Sequence, residues 1–291
     1  MTKTRKKATV FALLAAVLYA INSPFSKLLL EKISSTMMAA FLYLGAGLGL
    51  FIVGAIQRAA GKKEKEQPLT RKELPYTAAM VVLDIAAPIF LMIGLSMTTA
   101  ANASLLNNFE IVATSIIALA VFRETISRRL WLAIALVTLS SIILSFEDMS
   151  SLSFSYGSIF VLLACVCWGM ENNCTRMLSS KNPLEIVVIK GFGSGAGSLI
   201  IALCLGERPG NILYILCALL LGFVAYGLSI YFYIYAQRDL GAAKTSTYYA
   251  AAPFVGAALS LLIFRQLPSL SYLIALAIML AGTYFAATDS N

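Results

Sequence analysis

Four ionisable residues stand in stretches that are otherwise too apolar to hold them: Asp84, Glu110, Glu171 and Lys190. Charge in hydrocarbon is expensive, so such groups face a bundle interior or a water-filled path, where they can hold a charged ligand or carry a proton. Glu110 lies deepest. It follows Leu105-Leu106-Asn107-Asn108-Phe109, and after it the chain stays apolar as far as Phe122. Asn107 precedes it by about one helical turn, which would put an amide beside the carboxylate on one face. That pairing suits a cationic part of a substrate or a proton in exchange. The plainer alternatives are a static ion pair with Lys190 or hydrogen bonds to neighbouring amides.

Glu171 belongs to the polar patch Trp168-Gly169-Met170-Glu171-Asn172-Asn173, and Tyr19-Ala20-Ile21-Asn22-Ser23-Pro24 is its counterpart early in the chain. Pro24 removes a backbone donor and frees a carbonyl, the kind of break that lines cavities. Tyr19, Asn22, Trp168 and Glu171 are therefore candidates for a cavity wall, against a reading of interfacial aromatics and polar groups gluing helices together. Asp84 is close to Pro88, which suits either a cavity or a local backbone cap. Lys190 can neutralise one of the carboxylates or hold a substrate carboxylate. Tyr226 and Tyr231, midway along a stretch rich in phenols, are candidates for stacking and hydrogen bonding to a substrate.

The elements that must position these groups are membrane-spanning helices. The chain has 291 residues, 59% hydrophobic and 12% charged, with a mean hydropathy of +0.84. These values exclude an ordinary soluble domain. A helix crossing the hydrocarbon core needs roughly 20 apolar residues. Segments of that kind are expected near 8–30, 36–56, 74–97, 100–122, 130–146, 156–178, 185–205, 212–235, 241–264 and 270–287. The connection from Gln57 to Glu73, with Lys62-Lys63-Glu64-Lys65-Glu66, reads as a solvated loop, and no room remains for a soluble domain. Lys27, Lys32, Arg208 and Arg265 are the basic residues on one side. The remainder outside the spans falls on the other, which predicts both termini in the cytoplasm and an inner-membrane location.

Two similar halves emerge when the chain is compared with itself. Leu13-Leu14-Ala15-Ala16-Val17-Leu18-Tyr19-Ala20 matches Leu162-Leu163-Ala164-Cys165-Val166-Cys167-Trp168-Gly169, and in that register Asn22 falls on Glu171 and Ser26 on Thr175. Gly45-Ala46-Gly47 falls on Gly195-Ala196-Gly197, Asp84 on Tyr226, and Phe122-Arg123 on Phe264-Arg265. Ala100-Ala101-Asn102-Ala103-Ser104 falls on Ala242-Ala243-Lys244-Thr245-Ser246. Five spans per half make the second copy enter from the opposite face, an inverted repeat that can rock about a midplane site. The expected fold is an all-α integral membrane protein of ten transmembrane helices, with repeats over 1–148 and 149–291. Gly45, Gly49, Gly191, Gly193, Gly195 and Gly197 make small-xxx-small patterns in matching spans, which predicts close helix packing.

On this layout, and on the ends Phe122-Arg123-Glu124-Thr125-Ile126-Ser127 and Phe264-Arg265-Gln266-Leu267-Pro268-Ser269, the chain resembles the EamA-type, ten-helix members of the drug/metabolite transporter superfamily. In that family a Glu follows a Pro by some thirteen residues in the fourth and ninth spans. Here Glu124 is present but Ile111 replaces the Pro, while Pro253 is present but Gln266 replaces the Glu. The resemblance implies gradient-driven export or exchange of small metabolites such as amino acids, without ATP.

Histidine is absent, and Cys165, Cys167, Cys174, Cys204 and Cys217 lack metal-site spacing, so no metal and no cofactor are expected. The missing nucleophile–base constellation argues against an enzyme. The net charge of +8 reflects loop lysines and arginines rather than nucleic-acid binding. The expected partners are the lipid bilayer and a small substrate, with a zwitterion suggested by the mixed charges and the proton as candidate co-substrate. Monomer and homodimer both stay open. A receptor or scaffold that keeps the fold without transport is the rival function.

Overall fold

A backbone in hydrocarbon finds no water to bond, so each apolar stretch must satisfy its own amides as a helix. The computed structural model, which describes residues 3–60, 67–123, 125–148, 153–178, 180–240, 245 and 248–288, follows that rule. Helices α1 (Lys3–Ala20) and α2 (Asn22–Leu29) share one apolar stretch that breaks at Ile21. Helix α3 (Ser35–Ala59) comes next, and α4 (Leu74–Met97) starts from a 3-10 turn at Arg71–Glu73. Helices α5 (Ala100–Leu106) and α6 (Phe109–Ala120) divide a second stretch, and α7 (Arg128–Ser145) follows. A small antiparallel pair, β1 (Phe146–Asp148) with β2 (Ser153–Phe154), leads into α8 (Tyr156–Leu178) and α9 (Pro183–Cys204). Then come α10 (Ile212–Gly222), a π-helical segment (Phe223–Leu228), α11 (Ser229–Leu240), α12 (Ala252–Phe264) and α13 (Leu270–Ala287).

Among the described residues eight helical stretches are long and apolar enough to cross a membrane. Helix α8 has 23 residues, but Glu171-Asn172-Asn173 lowers its hydropathy, and α12 has only 13 residues. The outer surface is greasy, with Leu262 74% and Leu220 62% exposed, as lipid contact requires.

The chain is all-helical apart from the short β1–β2 pair in the link after Ser145. One expectation needs correction. The stretch 100–122 is not one helix: it turns at Asn107 and Asn108, where the Asn108 amide donates to the Leu105 carbonyl at 3.2 Å. Glu124, the run Lys62-Lys63-Glu64-Lys65-Glu66, and Ala242, Ala243, Lys244 and Ser246 lie outside the described residues.

The break at Ile21 has a local cause. Pro24 sits in the first turn of α2, where no donor is needed, but it leaves the Ala20 carbonyl without its usual partner four residues on. That carbonyl points at Gly256 of α12, where an added Cβ would stand 2.9 Å from the oxygen. Helix ends are closed by polar caps: Ser127 accepts from the Leu130 amide at 3.0 Å, and Ser269 from the Tyr272 amide at 3.1 Å. Arg123 and Arg265, with φ of 56° and 52°, are the left-handed non-glycine residues among those described.

Packing sets the frame for the site. Helix α3 crosses α9, α5 packs on α12, and α7 packs on α13. Helix α4 lies along α8, and α1 lies along α11. At the α3–α9 crossing the backbones touch: a Cβ on Gly191 would lie 2.4 Å from the Gly47 Cα. Gly193 and Gly197 of the expected small-residue patterns meet the side chains of Val81 and Ile85 on α4. Gly191→Val should therefore force α3 and α9 apart at a cost of about 1–3 kcal/mol. The check is a lower apparent melting temperature of the purified protein in detergent, and an unchanged transition would refute the close crossing.

Candidate functional site

Lys190 of α9 sits seven residues into its helix from Pro183, and its ammonium is shared by two carboxylates. The Nζ lies 3.1 Å from Asp84 Oδ2 and 3.0 Å from Glu171 Oε1. All three residues are buried: Asp84 is 0%, Glu171 2% and Lys190 8% exposed. Each acid has a second partner. The Tyr43 hydroxyl on α3 donates to Asp84 Oδ1 at 2.9 Å, and the Thr175 hydroxyl donates to Glu171 Oε1 from one turn further along α8. The ionised set carries one more negative than positive charge, so it favours an added cation or proton. Asp84 therefore has a partner in a different helix for each oxygen.

Glu110 forms a neighbouring unit rather than a pair with Lys190. Asn172 donates to Glu110 Oε1 at 2.5 Å and lies 3.5 Å from the Thr114 hydroxyl, and Asn173 donates to the Thr114 carbonyl at 3.1 Å. Successive residues of α8 thus serve two acids, Glu171 towards α4 and α9 and Asn172 towards α6. The amide expected beside Glu110 was Asn107, but Asn172 of α8 takes that place. Only the Asn107 carbonyl reaches Glu110, accepting its amide hydrogen at 3.1 Å, while the buried Asn107 Oδ1 has no hydrogen-bond partner.

A polar and aromatic group adjoins the triad. Asn22 donates to the Tyr226 hydroxyl at 3.1 Å, and Ser26 donates to Asn22 Oδ1 at 3.0 Å. The Tyr226 ring lies 5.2 Å from Tyr43 and 5.9 Å, edge-on, from Tyr19, which lies 5.7 Å from Tyr249. Trp168 is buried in the same core as Tyr43 and Tyr226. Tyr231 stands apart: it accepts from Gln57 at 2.8 Å and packs on Tyr235 at 4.8 Å. The structure thus gathers Asp84, Glu171, Lys190, Asn22, Tyr19, Trp168 and Tyr226, sets Glu110 beside them, and leaves Tyr231 in a separate cluster.

Sequence reasoning missed Tyr43, Asn172, Thr175 and Tyr249. The repeat register carried a usable signal for Thr175. Ser26 with Asn22, and Thr175 with Glu171, are the same hydroxyl-to-oxygen contact at i, i+4 in the two halves. Tyr43 had no such signal, since it is an isolated phenol in an apolar helix.

A cavity of about 560 Å³ opens where α2, α4, α7 and α12 end. Asn102, Gln266, Tyr272 and Lys27 are among its lining residues, and none of Asp84, Glu110, Glu171 and Lys190 is. Lys27 donates there to the carbonyls of Leu95, Ser96 and Thr98 at 2.5, 3.1 and 2.8 Å, capping the end of α4.

An all-helical multi-pass bundle with a greasy perimeter and buried ion pairs is the architecture of an integral membrane protein. The chain belongs to the EamA-like transporter family, whose model matches residues 6–146 and again 155–288. A protein of Methanothermobacter thermautotrophicus, named only as an uncharacterized transporter, is 28% identical over 291 residues, spanning 93% of this chain and 83% of the relative. Uncharacterized transporter YyaM of Bacillus subtilis is 21% identical over 201 residues, 66% of either chain. A solved crystal structure at 16% identity superposes with a TM-score of 0.67 over 96% of this chain and 95% of its own, a likeness of fold alone.

Breaking a buried pair by removing one partner costs about 3–5 kcal/mol, because the other charge is left uncompensated. Glu171→Gln removes the excess negative charge, whereas Lys190→Met leaves two acids facing each other. Lys190→Met should therefore lower the apparent melting temperature more than Glu171→Gln does. The reverse order in detergent thermal scans would mean that the ammonium does not compensate both acids.

Proposed function

We propose that the chain is a secondary transporter that exports or exchanges small amine-bearing metabolites such as amino acids by alternating access. In this reading it has ten membrane-spanning helices in two inverted repeats, 1–148 and 149–291, with both termini in the cytoplasm of an inner-membrane protein. The observation that carries it is the Lys190 bridge, which ties Asp84 of the first half to Glu171 of the second near mid-helix.

Several features support the repeat. Arg123 and Arg265 share a rare backbone conformation at matching positions, and Ser127 and Ser269 are matching caps. Stretches 107–108 and 250–251 are both turns where the register aligns them, to within a residue. The packing has the same character: α3 on α9 and α7 on α13 pair each element with its own counterpart. Discontinuous helices at a repeat interface are where carriers hold substrate.

Glu110, Asp84 and Glu171 give a substrate ammonium its acceptors, Lys190 answers a carboxylate, and Tyr19, Tyr226, Trp168 and Asn22 enclose the rest. Asn107 and Tyr231 are assigned to the path on either side rather than to direct contact. The Glu110 carboxylate is held by a neutral amide, Asn172, and not by a cation, so it is the acid assigned to proton coupling.

The test is reconstitution into liposomes with a trapped pH dye and a panel of amino acids and small amines. The native chain should give substrate-dependent proton movement, and Glu110→Gln should lose at least about tenfold of the initial rate, in keeping with removal of a general acid–base group. Proton movement that survives in Glu110→Gln would transfer the coupling role to Asp84 or Glu171. Absence of both proton movement and tracer exchange across the panel would favour a receptor or scaffold.

A further inference from the structure

We propose that Lys190 is a built-in stand-in for the substrate's ammonium group. In the empty carrier it occupies Asp84 and Glu171 so that the bundle can change access without cargo, and it yields them when an amine arrives. The idea rests on the carrier reading above and adds to it a role for one residue in the return step.

The geometry carries the inference in three parts. First, the Lys190 Nζ meets both carboxylates at ion-pair distance, which is how a bound primary amine would meet them. Second, the hold on Asp84 is incomplete. Asp84 Oδ2, the atom 3.1 Å from Nζ, has no directed hydrogen bond, while Oδ1 is fixed by Tyr43. A compact ammonium on a flexible four-carbon stem can leave such a contact, whereas a planar guanidinium forked across both acids would be slower to release them.

Third, the other half of the protein shows that packing here does not require a cation. In the repeat register Asn22, Tyr226 and Ala40 match Glu171, Asp84 and Lys190. The neutral copy closes by a direct hydrogen bond from Asn22 to Tyr226 at 3.1 Å. The charged copy holds two acids that repel and need a cation between them. Without Lys190 or a ligand amine, the empty bundle would have to close hydrocarbon around two uncompensated carboxylates.

The test needs no known substrate. The full chain is placed in lipid nanodiscs with dyes on Met97→Cys and Leu267→Cys, both exposed, in a background without the native cysteines. Single-molecule energy transfer then follows opening at that end of the bundle. The empty native protein should alternate between two distances, and Lys190→Ala should alternate at least about tenfold more slowly. Added n-propylammonium, which replaces the deleted side-chain atoms, should restore the native rate, and sodium or tetramethylammonium at equal concentration should not. The pair Asp84→Asn/Lys190→Ala, with the native net charge, should alternate without any amine.

Native-like alternation in Lys190→Ala overturns the proposal, and so does a failure of n-propylammonium to rescue it. A charge-matched pair that stays locked also overturns it, and that variant decides the matter if Lys190→Ala does not fold. A native protein held at one distance, with and without a mixture of amino acids, overturns the carrier reading itself, and the lysine's role with it.

Discussion

Two carboxylates and one ammonium share a space from which water is excluded, and the rest of the bundle is arranged to make that tolerable. The desolvation of each ion costs several kcal/mol and is offset only if every partner stands at contact distance. Those partners come from separate helices: Asp84 from α4, Glu171 from α8, Lys190 from α9 and Tyr43 from α3. The spacing of these helices is therefore as much a part of the site as the side chains. The backbone contact of Gly47 with Gly191 brings α3 against α9, and so brings the Tyr43 hydroxyl within reach of an acid whose other oxygen faces Lys190.

The family model matches the chain twice, and the two halves differ in chemistry. At the matching positions one half has Asn22 with Ser26 and the other has Glu171 with Thr175. An amide and a carboxylate are nearly the same shape, so either fits the packing, but only the carboxylate demands a cation. Placing the charged version in one half gives a duplicated chain an electrostatically unpaired centre. The aromatic side, Tyr19, Tyr226 and Tyr249, then forms a neutral group beside the ionic one.

Much of this was legible in the chain, for particular reasons. Apolar stretches bounded by basic loops give helices because hydrocarbon leaves the backbone no other choice. Asp84, Glu171 and Lys190 could be picked out because a charge in such a stretch must find company. Which charges pair was not legible, since it depends on the rotation of α4, α8 and α9 about their axes. Glu110 shows the difficulty. Helical spacing assigned it Asn107, but Asn172 from another helix takes that place, and the Asn107 side-chain oxygen is left without a partner. Tyr43 was invisible for a related reason: a single phenol on an apolar helix has no meaning until its neighbour is known. The short β1–β2 pair after Ser145 had no repeating pattern to announce it.

Tyr226 lies within the π-helical segment Phe223–Leu228, between two ordinary α-helical stretches. A π turn holds one residue more than an α turn, so it amounts to slack stored in the ladder of hydrogen bonds. Slack of this kind can be passed along a helix one bond at a time, without the ladder ever opening fully. Each residue it passes is turned by about 100° about the helix axis. For Tyr226 such a step would swing the phenol away from Asn22 and from Tyr43 together, while α10 and α11 kept their places against α3 and α1.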